Sequence, residues 1–127
     1  MENRIGNSPN FGALHMPSPK AMTRKFGEKI GGHVNKLRPA LEEMAKDADI
    51  YLKPTKYWFD RADKSIWSIE AVVLPKGNPV INKLKSLYHY YSLKRSEHFD
   101  NVFYNKGKKF TGRILETVGN LKDRVIK

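Results

Sequence analysis

The chain has 127 residues, no cysteine, and 24 Lys+Arg against 13 Asp+Glu, a formal charge of +11 at neutral pH. Disulfides, thiolate metal sites and cysteine nucleophiles are excluded, and electrostatics favours anionic partners. The longest uninterrupted apolar run, Ala71-Val72-Val73-Leu74, is far too short for a membrane span, and the length suits a single domain.

Residues 1–17 mix Asn, Ser, Pro and Gly and read as a flexible or extended N-terminal segment. Within it, Phe11 to Met16 suits a short strand. Ser18-Pro19 has the chemistry of a helix start, Ser18 as N-cap and Pro19 in the first turn. Met22, Phe26 and Ile30, then Val34, Leu37, Leu41, Met44 and Ala48, follow at helical spacing. The pattern predicts a helix over about 19–30, a break at Gly31-Gly32 and a second helix to about 48. Pro39 is compatible with that second helix only near its start.

The period then changes. Ile50 to Leu52 predicts a strand that Pro54 stops or confines to an edge. Tyr57–Phe59 and Ser65–Leu74 predict a hairpin around a turn at Asp60–Lys64. Asn78-Pro79 repeats the cap-then-proline signal and opens a helix to about Arg95, with Val80, Ile81, Leu84, Leu87, Tyr88 and Tyr91 as its core face. Residues 96–104 fit either helix or strand. Phe110, Ile114, Leu115, Val118, Leu121 and Val125 share one face of a last helix, with Thr111 as a candidate cap. The fold expected is α+β: a small antiparallel sheet of two to four strands flanked by N- and C-terminal helices on one face, residues 18–127 forming a single domain.

Asn7-Ser8-Pro9-Asn10-Phe11-Gly12-Ala13-Leu14-His15-Met16 resembles the opening of small uncharacterised gut-bacterial proteins, in which a Phe-Gly-Ala-aliphatic segment leads into a helix. The resemblance implies a bacterial, non-enzymatic protein and carries no activity with it. Absence of cysteine and of an apolar leader fits a cytoplasmic location.

The charge is uneven. Residues 1–41 carry net +5 and residues 71–115 net +7, while residues 42–70 carry net −2. Clustered charge focuses on one partner more than a uniform spread does. Three basic runs follow. Lys83, Lys85, Lys94 and Arg95 lie on the predicted third helix, where His89 and Tyr90 share the outer face. Lysines neutralise phosphates and an exposed aromatic stacks on an unpaired base. Lys106-Gly107-Lys108-Lys109 runs into a helix start beside Arg113, without the spacing of a nucleotide-binding loop. Lys20, Arg24, Lys25 and Lys29 form the third run, where Glu28 can pair with Arg24. For each, a solvated basic surface is the plainer reading.

Catalytic signals are sparse. His15, His33, His89 and His98 show no metal-ligand spacing. Asp60, Asp63 and Glu70 could act as acids or hold a cation, and His98 with Asp100 is the best acid/base pair. Trp58, Phe59 and Trp67 read as sheet packing or, on an uncovered face, as a binding platform. The expectation is a protein without cofactor or catalysis that binds an anionic partner. Nucleic acid contacted with little sequence preference through Lys83, Lys85, Tyr90, Lys94, Arg95, Lys106, Lys108, Lys109 and Arg113 leads. The alternative is a protein-interaction module whose basic surface meets an acidic protein, as in a phage or host-interaction protein. Exposed apolar residues would then contribute beside the charge.

Overall fold

A computed structural model describes residues 13–59, 64–91, 98–104 and 109–126. The elements are β1 (Leu14–His15), α1 (Pro19–Asn35), α2 (Arg38–Met44), β2 (Ala48–Phe59), β3 (Lys64–Pro75), α3 (Pro79–Tyr91), β4 (Phe99–Phe103) and α4 (Phe110–Val125). The fold is α+β: among the described residues, four helices surround one sheet in the order β1-β2-β3-β4.

The hairpin β2–β3 organises the sheet, in unbroken antiparallel register from Ala48↔Pro75 to Phe59↔Lys64. β4 adds to β3 antiparallel, so residues 99–103 are strand. β1 adds to β2 in parallel. The sheet is therefore mixed rather than antiparallel throughout, with α1 and α2 forming the crossover that a parallel pair requires.

Pro54 does not end β2. The Ile50 N–H donates to the Ala13 carbonyl at 2.9 Å, so even-numbered residues of β2 turn their backbone groups toward β1. β1 covers only Ile50 and Tyr51. Pro54 thus points its missing donor at open edge and costs the β2–β3 ladder nothing.

Alternation sorts the hairpin into two faces. On the first, Ala48, Ile50, Leu52, Ile69, Ala71, Val73 and Val102 join Met22, Val34, Leu37, Leu41, Phe110, Ile114, Val118 and Leu121 in one core. Each such side chain contributes about 1.5–3 kcal/mol by leaving water. α1, α2 and α4 supply the helical half of this core, as their periodicity predicted. Trp67 closes one end, its ring 5.3 Å from that of Phe26, with the Lys56 ammonium 5.5 Å from its centroid. It is packed here, not a free platform; the side chains of Trp58 and Phe59 lie outside the described residues.

Ser18 caps α1 as expected, accepting from the Ala21 N–H at 3.2 Å. The break comes at Gly27, not at Gly31-Gly32: Gly27 has φ +85° inside α1. The chain doubles back there. Asn35 donates to the Pro19 carbonyl at 3.2 Å, although a straight helix would separate these residues by roughly 24 Å. Gly31 is where the two arms touch; a Cβ on it would lie 2.6 Å from the Thr23 Cα. After a turn at Lys36-Leu37, Pro39 sits in the first turn of α2. α4 starts at Phe110 after Lys109, with no side-chain cap, so Thr111 is already helical.

Gly31 and Gly32 separate packing from propensity. Gly31→Ala forces backbone apart and is expected to destabilise by about 1–3 kcal/mol. Gly32→Ala meets nothing within 4 Å and is expected to be neutral or stabilising by up to ~1 kcal/mol. Urea unfolding of the two variants measures both.

Candidate functional site

The second face of the sheet is unlike the first. Asp49, Tyr51, Lys53 and Thr55 of β2 stand opposite Leu74, Val72, Glu70 and Ser68 of β3. The buried polar side chains of the described residues are Asp49, Ser68, Glu70 and Asn82; three stand on this face and the fourth descends onto it from α3. The buried Tyr51 hydroxyl, Ser68 hydroxyl and Asn101 carbonyl oxygen make no hydrogen bond. Asn101 shares the face, standing opposite Glu70.

α3 is the helix that lies here. Asn78 caps it, its Oδ1 accepting from Val80 at 2.9 Å and Ile81 at 3.2 Å. One turn on, the Asn82 Nδ2 donates to Asp49 Oδ2 at 2.5 Å and to the Pro75 carbonyl at 2.9 Å. Asp49 Oδ1 accepts from the Ala13 N–H at 3.0 Å. A buried carboxylate needs such partners.

This anchoring turns four residues of the predicted face outward; the side chains of Tyr88 and Tyr91, predicted on the same face, lie outside the described residues. Val80, Ile81, Leu84 and Leu87 were expected in the core and are instead exposed, at 68%, 52%, 47% and 47%. Among the described side chains of α3, Asn82 is the buried one. The cause is chemical: Asn82 supplies the donor that Asp49 and Pro75 need, and apolar periodicity carries no information about that donor.

At the open edge of β2, beyond the end of β1, lies a cleft of about 480 Å³. Met16, Pro17, Leu52, Pro54, Val72 and Leu87 form its apolar walls, with His15, Tyr51, Lys53, Glu70 and Lys83 among its polar groups. The His15 and Tyr51 rings stack with centroids 4.3 Å apart and planes 6° from parallel. Burial lowers the affinity of the His15 imidazole for protons; the Asp49 carboxylate opposes that shift and the Lys83 ammonium adds to it. Burial, helped by the Asp49 charge, pushes the Tyr51 phenol up to about 12. At neutral pH the stack is uncharged.

Of the predicted contacts, Lys83 and Lys85 are exposed on α3, and Lys109 is exposed before α4. Arg113 is half-buried and donates to the Phe103 carbonyl at 2.9 Å. Lys94, Arg95, Lys106 and Lys108 lie outside the described residues, as does the side chain of Tyr90, whose backbone belongs to α3. The structure places Lys83 and Lys85 on α3, and Lys109 and Arg113 at the start of α4, helices that pack against opposite faces of the sheet.

Of the predicted acid/base pair, His98 Nδ1 lies 3.1 Å from the Val73 carbonyl, and Asp100 Oδ1 accepts from the Asn101 N–H at 2.8 Å. Among the described residues no group of three His, Asp or Glu could hold a metal ion, and no helix is long and apolar enough to cross a membrane. No known protein family, curated protein or solved structure matches the chain. Sequence reasoning missed the cleft because its parts are distant in the chain. The signal available was the alternation Asp49, Tyr51, Lys53 opposite the apolar Ile50 and Leu52.

Asn82→Leu removes both donated bonds and leaves Asp49 and Pro75 unsatisfied, with an expected loss of about 1–3 kcal/mol by urea unfolding. For His15 the folded midpoint lies below the ordinary 6.5. Its contribution to stability is complete above that value and is lost as pH falls through the folded midpoint. An NMR titration of its ring is expected to place the midpoint below 6.5, and His15→Gln to flatten the loss of stability on acidification.

Proposed function

We propose that this chain is a non-catalytic, cytoplasmic binding module that docks an acidic, amphipathic protein segment on the outward face of α3. The observation that carries the reading is the exposed stripe Val80, Ile81, Leu84 and Leu87, with Lys83 and Lys85 set among those residues. An exposed apolar patch interleaved with charge is a protein-interaction surface.

Charge selects the occupant. α3 runs PVINKLKSLYHYY and contains no acid. A second copy packed stripe to stripe would set lysine against lysine with no carboxylate from either helix to pair them. A partner with apolar residues at helical spacing, flanked by Asp or Glu, satisfies both the stripe and the lysines. Nucleic acid is favoured less. Phosphate contact has no use for four exposed aliphatic side chains, and the described basic pairs stand on opposite sides of the sheet rather than along one track.

A peptide-display selection against the full chain tests the choice. The expected winners carry acidic residues around apolar residues at spacings of three and four. Leu84→Asp is expected to weaken them about tenfold or more, and Lys85→Glu to weaken them less. Winners insensitive to Leu84→Asp would overturn the reading. Micromolar binding of single-stranded RNA at physiological salt, unchanged by Leu84→Asp, would replace it with the nucleic-acid reading. A dimer dissociated by Leu84→Asp would make the occupant a second copy.

A further inference from the structure

The cleft at the open edge of β2 has a different chemistry from the α3 stripe. It is bordered by charges from two elements, Lys53 of β2 and Lys83 of α3. Both are exposed, and neither ammonium forms an ion pair with a described residue. The third charged lining group is Glu70, buried in the middle of the sheet and directly opposite Lys53 in register. The His15–Tyr51 stack adds no charge at neutral pH. Glu70 has a partner of its own, and the two lysines are the cations that the lining offers to an anion. Asp49 stands behind it, its two oxygens occupied by Ala13 and Asn82.

The remaining walls are apolar: Met16 and Pro17 where the chain leaves β1, Pro54 on the edge of β2, and Leu87 on α3. Pro54 matters twice, because it gives the wall an apolar ring and offers no N–H there. The volume, about 480 Å³, lies within the range of small-molecule sites, which pair mostly apolar walls with a few placed polar groups.

From this arrangement we infer that the cleft binds a small organic monoanion, an alkyl or aryl carboxylate. Its head group lies between Lys53 and Lys83, and its apolar body lies against Met16, Pro54 and Leu87. Two exposed ammoniums from separate elements suit a single carboxylate head group, which accepts charge-assisted hydrogen bonds at both oxygens. The flat His15–Tyr51 pair forms a neutral wall on which an apolar chain or ring rests without desolvating a charge. Both rings report occupancy.

The test uses the full chain and sodium octanoate, followed by NMR at the His15 and Tyr51 ring protons. Octanamide has the same body without the charge, and acetate has the charge without the body. Octanoate is expected to give saturable shifts, with octanamide and acetate each about tenfold weaker or worse. Lys53→Met is expected to weaken octanoate about fivefold to tenfold, as loss of a charge-assisted contact does. Lys53 is exposed and forms no ion pair with a described residue, so its replacement leaves the fold in place. Leu84→Asp, which lies outside the cleft, is expected to leave octanoate binding unchanged, so this inference stands or falls apart from the docking of a protein on α3. The inference is overturned by an absence of saturable shifts up to the solubility of octanoate. Acetate binding as tightly as octanoate, or a Lys53→Met variant that binds octanoate as the parent does, overturns it equally.

Discussion

Asp49 holds three separated parts of the chain to one point. Its carboxylate is 5% exposed, and each oxygen takes one hydrogen bond. One comes from Ala13, just before β1, and the other from Asn82 on α3. Asn82 passes the connection on to the Pro75 carbonyl at the end of β3. An unpaired carboxylate in that position would be far more costly than an ordinary lost contact, so the three segments are held together by a requirement rather than by general apolar attraction. The roll of α3 follows from it. At 3.6 residues per turn, residues two positions either side of Asn82 lie about 160° around the helix from it. Fixing Asn82 against the sheet therefore turns Val80 and Leu84 to solvent, whatever their hydrophobicity favours.

The two faces of the sheet consequently do different work. The first is an apolar core in which α1, α2 and α4 bury their stripes, and its energy comes from area removed from water. The second holds Asp49, Ser68, Glu70 and Asn82, together with unpartnered oxygens on Tyr51, Ser68 and Asn101. Buried polar atoms without partners subtract from stability. A fold that tolerates them on one face is supported from the other, and it keeps its polar groups beside the open edge of β2 where the cleft lies. The Lys122–Asp47 ion pair at 2.7 Å pins α4 to the turn before β2. With Asp47 open to solvent and Lys122 half-buried, it adds about 1 kcal/mol.

What was legible in the sequence is what apolar period and local capping encode. The α4 stripe, the Ser18 and Asn78 caps, the β2–β3 hairpin and the α+β class all rest on neighbours a few residues apart. Three features were not legible, each for a physical reason. The hairpin inside α1 depends on Gly27 adopting positive φ while Gly31 meets Thr23. The sequence shows three glycines and does not say which one turns. The parallel β1–β2 pair comes from a two-residue strand, too short to show a period. The outward stripe of α3 looks like a core stripe because periodicity reports that one face is apolar, not which way it points. The direction is set by Asp49, more than thirty positions earlier in the chain, and by the donor it needs.

The basic charge divides into parts with different roles. Arg113 spends its guanidinium on the Phe103 carbonyl and Lys122 on Asp47, so these cations hold the fold together. Lys53, Lys83 and Lys85 are exposed and stand beside apolar surface, where charge discriminates between partners. Lys83 and Leu87 belong to both surfaces, lining the cleft from below while bordering the stripe on α3. An anion that draws the Lys83 ammonium into the cleft removes a positive charge from the surface a protein partner meets. By linkage, a partner that engages Lys83 weakens the cleft for its anion to the same degree. The two proposed sites, adjacent because Asn82 fixes the roll of one helix, would compete for the same charge.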